Sequence, residues 1–254
     1  MKKISADELA VILKDKIDFV LELGILQESK LCFKPVYRFL EAFAGDLNIP
    51  EFCLVYSEAD DPEEIFIAVN SKIFDEIFKK YDTGTIIFHG NHEESESDEL
   101  CESFYCDRKI KKYIDTDLNF KLLTKDDKNL KNLFNKDADF YLKKIFCDFV
   151  ENKLYYDCGI IGAHDKHNNF TGYLAYYEIA ENIRDISYIY IGEKFRGLGY
   201  GRDLLNFFVN KNTEENKISY YSCAENDISK NLAKSCGFID CAKRKELKET
   251  EADI

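Results

Sequence analysis

Along the second half of the chain the apolar positions switch between a two-residue and a 3.6-residue period. Phe120 to Leu123 reads as a strand. Lys125 to Asn135 and Asp139 to Glu151 read as helices, the second with Phe140, Ile145, Phe146, Phe149 and Val150 on its apolar side. Tyr156 to Ala163 and Phe170 to Tyr177 read as an antiparallel pair joined by the polar turn His164 to Asn169, where His164 is expected to be exposed. Ile186-Ser-Tyr-Ile-Tyr-Ile191 is β-branched and aromatic, which predicts a strand buried on both faces. Leu204, Leu205, Phe207, Phe208 and Val209 then recur at helical spacing. Ile218 to Ala224 is a further strand. A short helix follows, with Asn226 as its N-cap and Gly237 just beyond its end. Ile239 to Lys243 makes a last strand, and the charged stretch Glu246 to Ile254 is expected to fray.

The first 115 residues also alternate. Ser5 to Glu8 forms a capping box, and Leu9, Ile12, Leu13, Ile17, Val20, Leu21 and Leu23 continue one helix up to Gly24. A second helix is expected after Pro35, through Tyr37, Phe39, Leu40 and Phe43, to Gly45. Phe52 to Tyr56 and Ile65 to Val69 read as strands around a turn at Asp60 to Glu63. Ser71 to Tyr81 reads as a helix, Thr85 to Phe88 as a strand and Leu100 to Ile114 as a helix. These elements predict a smaller α/β domain over 1–115, with the boundary near Asp115 to Asp117 and a second domain over 116–254. No internal repeat stands out. A structural or substrate-gating role is the expectation for the first domain.

The candidate chemistry lies between the Ile186 strand and the helix after it. Arg196-Gly-Leu-Gly-Tyr-Gly201 places glycines at alternate positions. Glycines let backbone N–H groups converge on a ligand, and a helix N-terminus adds partial positive charge, so the stretch suits phosphates. A tight turn with no ligand is the alternative. A P-loop is excluded because no Lys-Ser or Lys-Thr follows Gly201. A dinucleotide fingerprint would need another glycine spacing and an early βαβ unit.

Two blocks together resemble the GNAT superfamily of CoA-dependent N-acetyltransferases. The family's pyrophosphate loop, Gln/Arg-x-x-Gly-x-Gly/Ala, is matched by Arg196, Gly199 and Gly201. Its later Asn-x-x-Ser/Ala…Gly-Phe block is matched by Asn226, Ser229, Gly237 and Phe238. The resemblance implies an α/β acyltransferase fold with a mixed, mostly antiparallel sheet flanked by helices, and acetyl-CoA as co-substrate. Pyrophosphate would sit on the amides of Gly197, Leu198, Gly199, Tyr200 and Gly201, flanked by Arg196 and Arg202. The pantetheine arm would run beside Tyr190 and Ile191, with Asn226 and Ser229 near it. For the general base it implies a carboxylate early in the strand before the loop, where Asp185 stands, with Glu178 on the preceding strand as the alternative. Two departures stand out. Ala233 occupies the place of a frequent general-acid tyrosine, leaving Tyr173 and Tyr176 as other hydroxyls. The chain also lacks the second strand that usually follows the Gly-Phe pair, so a strand from the first domain completes the sheet or its edge stays short.

Composition narrows the partners. A net charge of −13 argues against nucleic acid. No apolar run has membrane-spanning length and no signal-peptide core opens the chain, so a cytoplasmic protein is expected. The absence of Trp and the abundance of Lys, Asn and Ile are associated with AT-rich bacterial genomes. Nine scattered cysteines read as reduced thiols. His89, His92, Cys101 and Cys106 have zinc-like spacing, but the acidic stretch between them reads as solvated, and no metal is expected. The expected function is transfer of an acetyl group to a small-molecule amine. The alternative is a non-catalytic acyl-CoA-binding or regulatory module. Oligomeric state is not legible.

Overall fold

A computed structural model describes residues 2–34, 37–45, 52–59, 66–70, 85–89, 99–110, 117–128, 140–151, 154–222 and 226–248. The chain divides into two compact units, Met1–Ser103 with Asp240–Ile254, and Phe104–Ile239. Each is a mixed α/β structure with a mostly antiparallel sheet, the class expected from the sequence.

The first unit opens with β1 (Lys2–Ile4) and α1 (Ala6–Leu13), whose capping box forms as expected: Glu8 N–H donates to Ser5 Oγ at 3.2 Å and Ser5 N–H to Glu8 Oε2 at 2.8 Å. The single helix expected to reach Gly24 is instead two. The charged run Lys14-Asp-Lys16 has nothing to bury, a 3₁₀ turn follows at Ile17–Phe19, and α2 (Val20–Leu31) holds Gly24 buried in its interior. The helix expected after Pro35 is also corrected. Tyr37–Ala44 is strand β2, bonded to β1 on one side and to β3 (Phe52–Glu58) on the other. Pairing on both edges overrides a local helical pattern. β4 (Phe66–Asn70) lies antiparallel to β3, and β5 (Thr85–His89) parallel to β4. The turn at Asp60 to Glu63 and the helix at Ser71 to Tyr81 lie outside the described residues.

The second unit contains β7 (Asn119–Leu122), α3 (Phe140–Phe146) with a π turn at Cys147–Glu151, β8 (Cys158–His164), β9 (Phe170–Ala180) and β10 (Ile183–Ile191). It continues with α4 (Tyr200–Glu214), β11 (Ile218–Tyr221) and α5 (Asp227–Ser235). β7, β8, β9 and β10 are antiparallel neighbours, and β11 is parallel to β10. Two clusters cover the two faces of this sheet. Leu204, Leu205, Phe208 and Val209 of α4 pack on Ile161, Leu174 and Ile186. Phe146 and Phe149 pack on Ile160, Tyr173 and Ala175.

The two units repeat one topology. In each, four antiparallel neighbours are followed by one parallel strand: β1-β2-β3-β4-β5 in the first, β7-β8-β9-β10-β11 in the second. The sixth strands are exchanged along the chain. β6 (Glu99–Cys106), expected as a helix, follows the first set, yet its Phe104 to Cys106 pair antiparallel with Ser219 to Tyr221 of β11. Its Phe104 and Cys106 are buried, which is the two-residue period of a strand. β12 (Ile239–Lys248) follows the second set, and its Arg244 to Lys248 pair antiparallel with β5. So Glu246 to Lys248, expected to fray, are strand, and the edge missing after Phe238 is supplied from residues before 115. The repeat escaped the sequence because β-patterns are met by many sequences and the pairing partners are distant.

Candidate active site

β10 is paired on both edges for only part of its length. β9 follows it from Ile183 to Ile191, but β11 follows it only from Ile183 to Asp185, opposite Ile218 to Tyr220. Beyond Asp185 no described residue pairs with this edge of β10, and among the described residues the edge is open. A bulge falls at this point, because Ile186 faces Tyr176 while Tyr188 already faces Ala175. Ser187 is its extra residue and is exposed, and Tyr188 to Ile191 are only half-buried. The strand expected to be buried on both faces is therefore open where β11 leaves it.

Strand alternation identifies the groups on the open edge. Gly192 N–H donates to Thr171 O at 2.9 Å, and a Cβ on Gly172 would lie 2.3 Å from Tyr190 O, so Tyr190 and Gly192 turn their backbone groups toward β9. Ile189 and Ile191 therefore turn theirs the other way. The Ile191 carbonyl accepts Arg196 Nε at 3.1 Å, consistent with that direction. Gly172 was not singled out in the sequence, although a glycine inside a strand is the signal for such close backbone approach.

The glycine loop sits at the end of the open edge. A 3₁₀ turn at Glu193–Phe195 brings the chain round, with Arg196 N–H on Glu193 O at 3.2 Å. Gly197 and Gly199 have φ of 76° and 84°, the left-handed region that other residues adopt at a cost of about 1–2 kcal/mol. Gly199 is the N-cap of α4, and the next backbone bond inward is Asp203 N–H to Gly199 O at 3.1 Å. The first amides of α4 thus lack intrahelical partners, at the positive end of a 15-residue helix. Leu198 is exposed, and Arg202 Nε donates to Ser235 Oγ at 3.3 Å, tying α4 to α5. Asn226 caps α5 as expected, its Oδ1 accepting Ser229 N–H at 2.9 Å. Residues 223–225, just before this cap, lie outside the described residues.

The two carboxylates named as candidate bases are both held. Asp185 is 1% exposed, and its oxygens accept the Ser222 N–H and the Ser222 hydroxyl, each at 2.8 Å. Ser222 had no signal in the sequence. Glu178 accepts Lys217 Nζ at 3.0 Å and Asn182 N–H at 2.8 Å. It belongs to a charge network at the closed end of the fork. There Arg184 grips Asp157 with Nε at 2.7 Å and a terminal nitrogen at 3.0 Å, and reaches Asn212 at 2.9 Å and Glu215 at 2.5 Å. Lys217 adds a 2.5 Å bond to Asp157. Burial works to raise the Asp157 carboxyl, but bonds and charge from Arg184 and Lys217 outweigh it and hold it below the usual carboxylate range.

Ile189 and Ile191 pack toward the α4 side of the sheet, and Tyr188 and Tyr190 toward the α3 side. On the α3 side Tyr173 lies 5.9 Å from Tyr188 and 5.6 Å from Tyr190, centroid to centroid. An open depression of about 430 Å³ is lined there by Phe170, Thr171, Tyr190 and the Gly192–Phe195 turn, with Lys194 Nζ 4.8 Å over the Phe195 ring. Tyr173 and Tyr176 are both buried, and burial pushes the Tyr176 hydroxyl up to about 12. Ala233 is fully buried in the core. His164, expected in an exposed turn, ends β8, is buried, and packs edge-on against Phe170. Its burial holds the imidazole below its usual pKa. Among the described residues no cluster of three or more His, Cys, Asp or Glu is placed to hold a metal. His92 lies outside them, and Cys106 is buried with its thiol pushed up by that burial. No described helix is long and apolar enough to cross a membrane.

Comparison with known proteins bears on this geometry. Residues 125–238 match the profile of the acetyltransferase (GNAT) family. No curated protein matches the chain. Several solved structures share its fold at low identity. A GNAT-family acetyltransferase from Colwellia psychrerythraea is 12% identical with a TM-score of 0.57, over 98% of this chain and 99% of that one. A GCN5-related N-acetyltransferase-like protein from Streptococcus suis is 13% identical with a TM-score of 0.53, over 95% and 97%. A tandem GNAT protein from the clavulanic acid biosynthesis pathway is 10% identical with a TM-score of 0.51, over 99% and 98%. The open fork, the left-handed glycine loop and the profile match agree that residues 125–238 form a domain similar to the GNAT family of acetyltransferases.

Proposed function

We propose that the protein is a cytoplasmic acetyl-CoA-dependent N-acetyltransferase acting on a small-molecule amine, with the transfer carried out by residues 116–254 and residues 1–115 serving as a companion domain. The observation that carries this reading is the junction of the open β10 edge with the glycine loop at the N-terminus of α4. The amides of Gly197 to Gly201 hold the pyrophosphate, with Arg196 and Arg202 beside it. The pantetheine amides pair with the open edge at Ile189 and Ile191, alongside Tyr190, as an added strand would. Asn226 and Ser229 border the arm from the start of α5.

In the transfer, the amine nitrogen forms a bond to the acetyl carbonyl carbon and the carbon–sulfur bond breaks. The ammonium proton is lost to water and the departing thiolate takes a proton from water. Solvent reaches the reacting strand at exposed Ser187. An N–H of the open edge stabilises the oxyanion, worth about 3 kcal/mol in comparable sites. The acceptor enters from the α3 side, where Phe170, Tyr190 and Phe195 offer aromatic surface and Glu193 a carboxylate. Lys194 of the same turn offsets Glu193, so it is the aromatic surface of Phe170 and Tyr190 and the net charge of −13 that favour a cationic amine. Buried Ala233 favours the second reading, a non-catalytic acyl-CoA-binding module.

Free-thiol release from acetyl-CoA, followed across a panel of polyamines, amino acids and aromatic amines, separates the two. Amine-dependent release above hydrolysis is the expected result. Tight acetyl-CoA binding with no amine-dependent release across the panel would leave the binding module.

A further inference from the structure

Asp185 is the last residue of β10 to pair with β11, opposite Tyr220. Its carboxylate reaches over to Ser222, two residues further along, and takes both the backbone N–H and the hydroxyl at 2.8 Å. In a continuing parallel ladder that N–H would bond a carbonyl of the neighbouring strand. Here a side chain substitutes for the ladder at the point where the backbones separate. The bonds are charge-assisted and part-buried, with Asp185 1% exposed and Ser222 half-buried, which makes them strong and costly to lose.

We propose that Asp185 is a positioning residue: its carboxylate clamps Ser222 and fixes where and how far β11 splays from β10. This rests on the function proposed above, because the width of that splay sets the fit of the acyl-CoA arm. The closed end of the fork is fixed separately by the Arg184 network. The clamp therefore controls the open end alone.

Asparagine distinguishes a clamp from a base. In Asp185→Asn the amide oxygen still accepts the Ser222 N–H and the amide nitrogen donates to the Ser222 hydroxyl oxygen, but no proton acceptor of carboxylate strength remains. Asp185→Ala loses both bonds. Ser222→Ala loses one and keeps the carboxylate. The measurements are acetyl-CoA affinity by calorimetry, turnover against pH, and hydrogen exchange of the Ser222 amide without ligand, all on the full chain.

Asp185→Ala should weaken acetyl-CoA binding by about tenfold or more and speed Ser222 exchange, from two lost bonds to a buried charged group. Asp185→Asn should stay within about threefold of wild type in affinity and turnover with the same pH profile, and Ser222→Ala should fall between. The proposal is overturned if Asp185→Asn loses turnover as fully as Asp185→Ala while affinity and Ser222 exchange stay at wild-type values. That result would make Asp185 the base. A wild type that binds no acetyl-CoA would remove the proposed function, and with it the cofactor-fitting role. Ser222 exchange would still decide the clamp, slow in wild type and Asp185→Asn and fast in Asp185→Ala if it holds, equal in all three if it does not.

Discussion

Gly199→Glu is expected to lower acetyl-CoA affinity by at least about 100-fold while the protein keeps a cooperative melt. Two costs add. Gly199 has φ of 84°, so any side chain there is strained by about 1–2 kcal/mol, released only if the loop changes shape. The new carboxylate would also stand at the N-terminus of α4, at the proposed pyrophosphate site, and like charges at close range add a further penalty of about 1 kcal/mol or more. Together these approach about 3 kcal/mol, roughly two decades in affinity. The loop lies at a helix end and outside the clusters that pack the sheet, so the cost falls on binding more than on folding. Calorimetric titration beside a urea melt reads both. A variant that binds like wild type would show that the phosphates do not lie on this loop.

The largest stability effect is expected from Arg184→Met. Arg184 is 6% exposed and joins β10 to Asp157, Asn212 of α4 and Glu215 just after it. Breaking a fully buried pair costs about 3–5 kcal/mol, and the cost here falls toward or below the lower end because Asp157 keeps Lys217, Glu215 keeps Lys211, and both carboxylates are partly exposed. Methionine keeps much of the volume, so the loss is one of charge more than of packing. The pH dependence has a definite sign. Asp157 titrates lower in the folded chain than in the unfolded one. Its contribution is therefore complete above the unfolded value of about 3.9 and is lost as pH falls through the folded value. In the variant that carboxyl is less depressed and has less to lose. The gap between wild type and variant should be widest near neutral pH and should narrow below about pH 4. Equal urea midpoints at neutral pH would contradict the assignment of the network as a main fastening of β10.

What the sequence disclosed follows the range of the forces involved. The Ser5 capping box, the Asn226 cap and the glycine turn ahead of α4 are set within a few residues, and all were legible. Tyr37–Ala44 and the start of the Leu100 stretch read as helices because their apolar spacing fits either period. What makes them strands is a pair of neighbours, β1 and β3 for one and β11 for Phe104 to Cys106, far along the chain. The exchange of sixth strands and the repeated topology are non-local in the same way. At the site, the glycine loop was found by residue type, whereas the Ser222 partner of Asp185 was not. Ser222 has no distinctive neighbours, and its role arises only where two strands part. Likewise the open edge of β10 could not be seen, because Ile186 to Ile191 read as a buried strand, and Ser187 to Ile191 are uncovered only by the early end of β11.

Calorimetric titration of acetyl-CoA into the wild-type chain decides whether the fork and glycine loop hold an acyl-CoA. Micromolar binding at one site per chain, competed by CoA, is the expected result. A folded, cooperatively melting sample that shows no heat of binding at millimolar acetyl-CoA would contradict it.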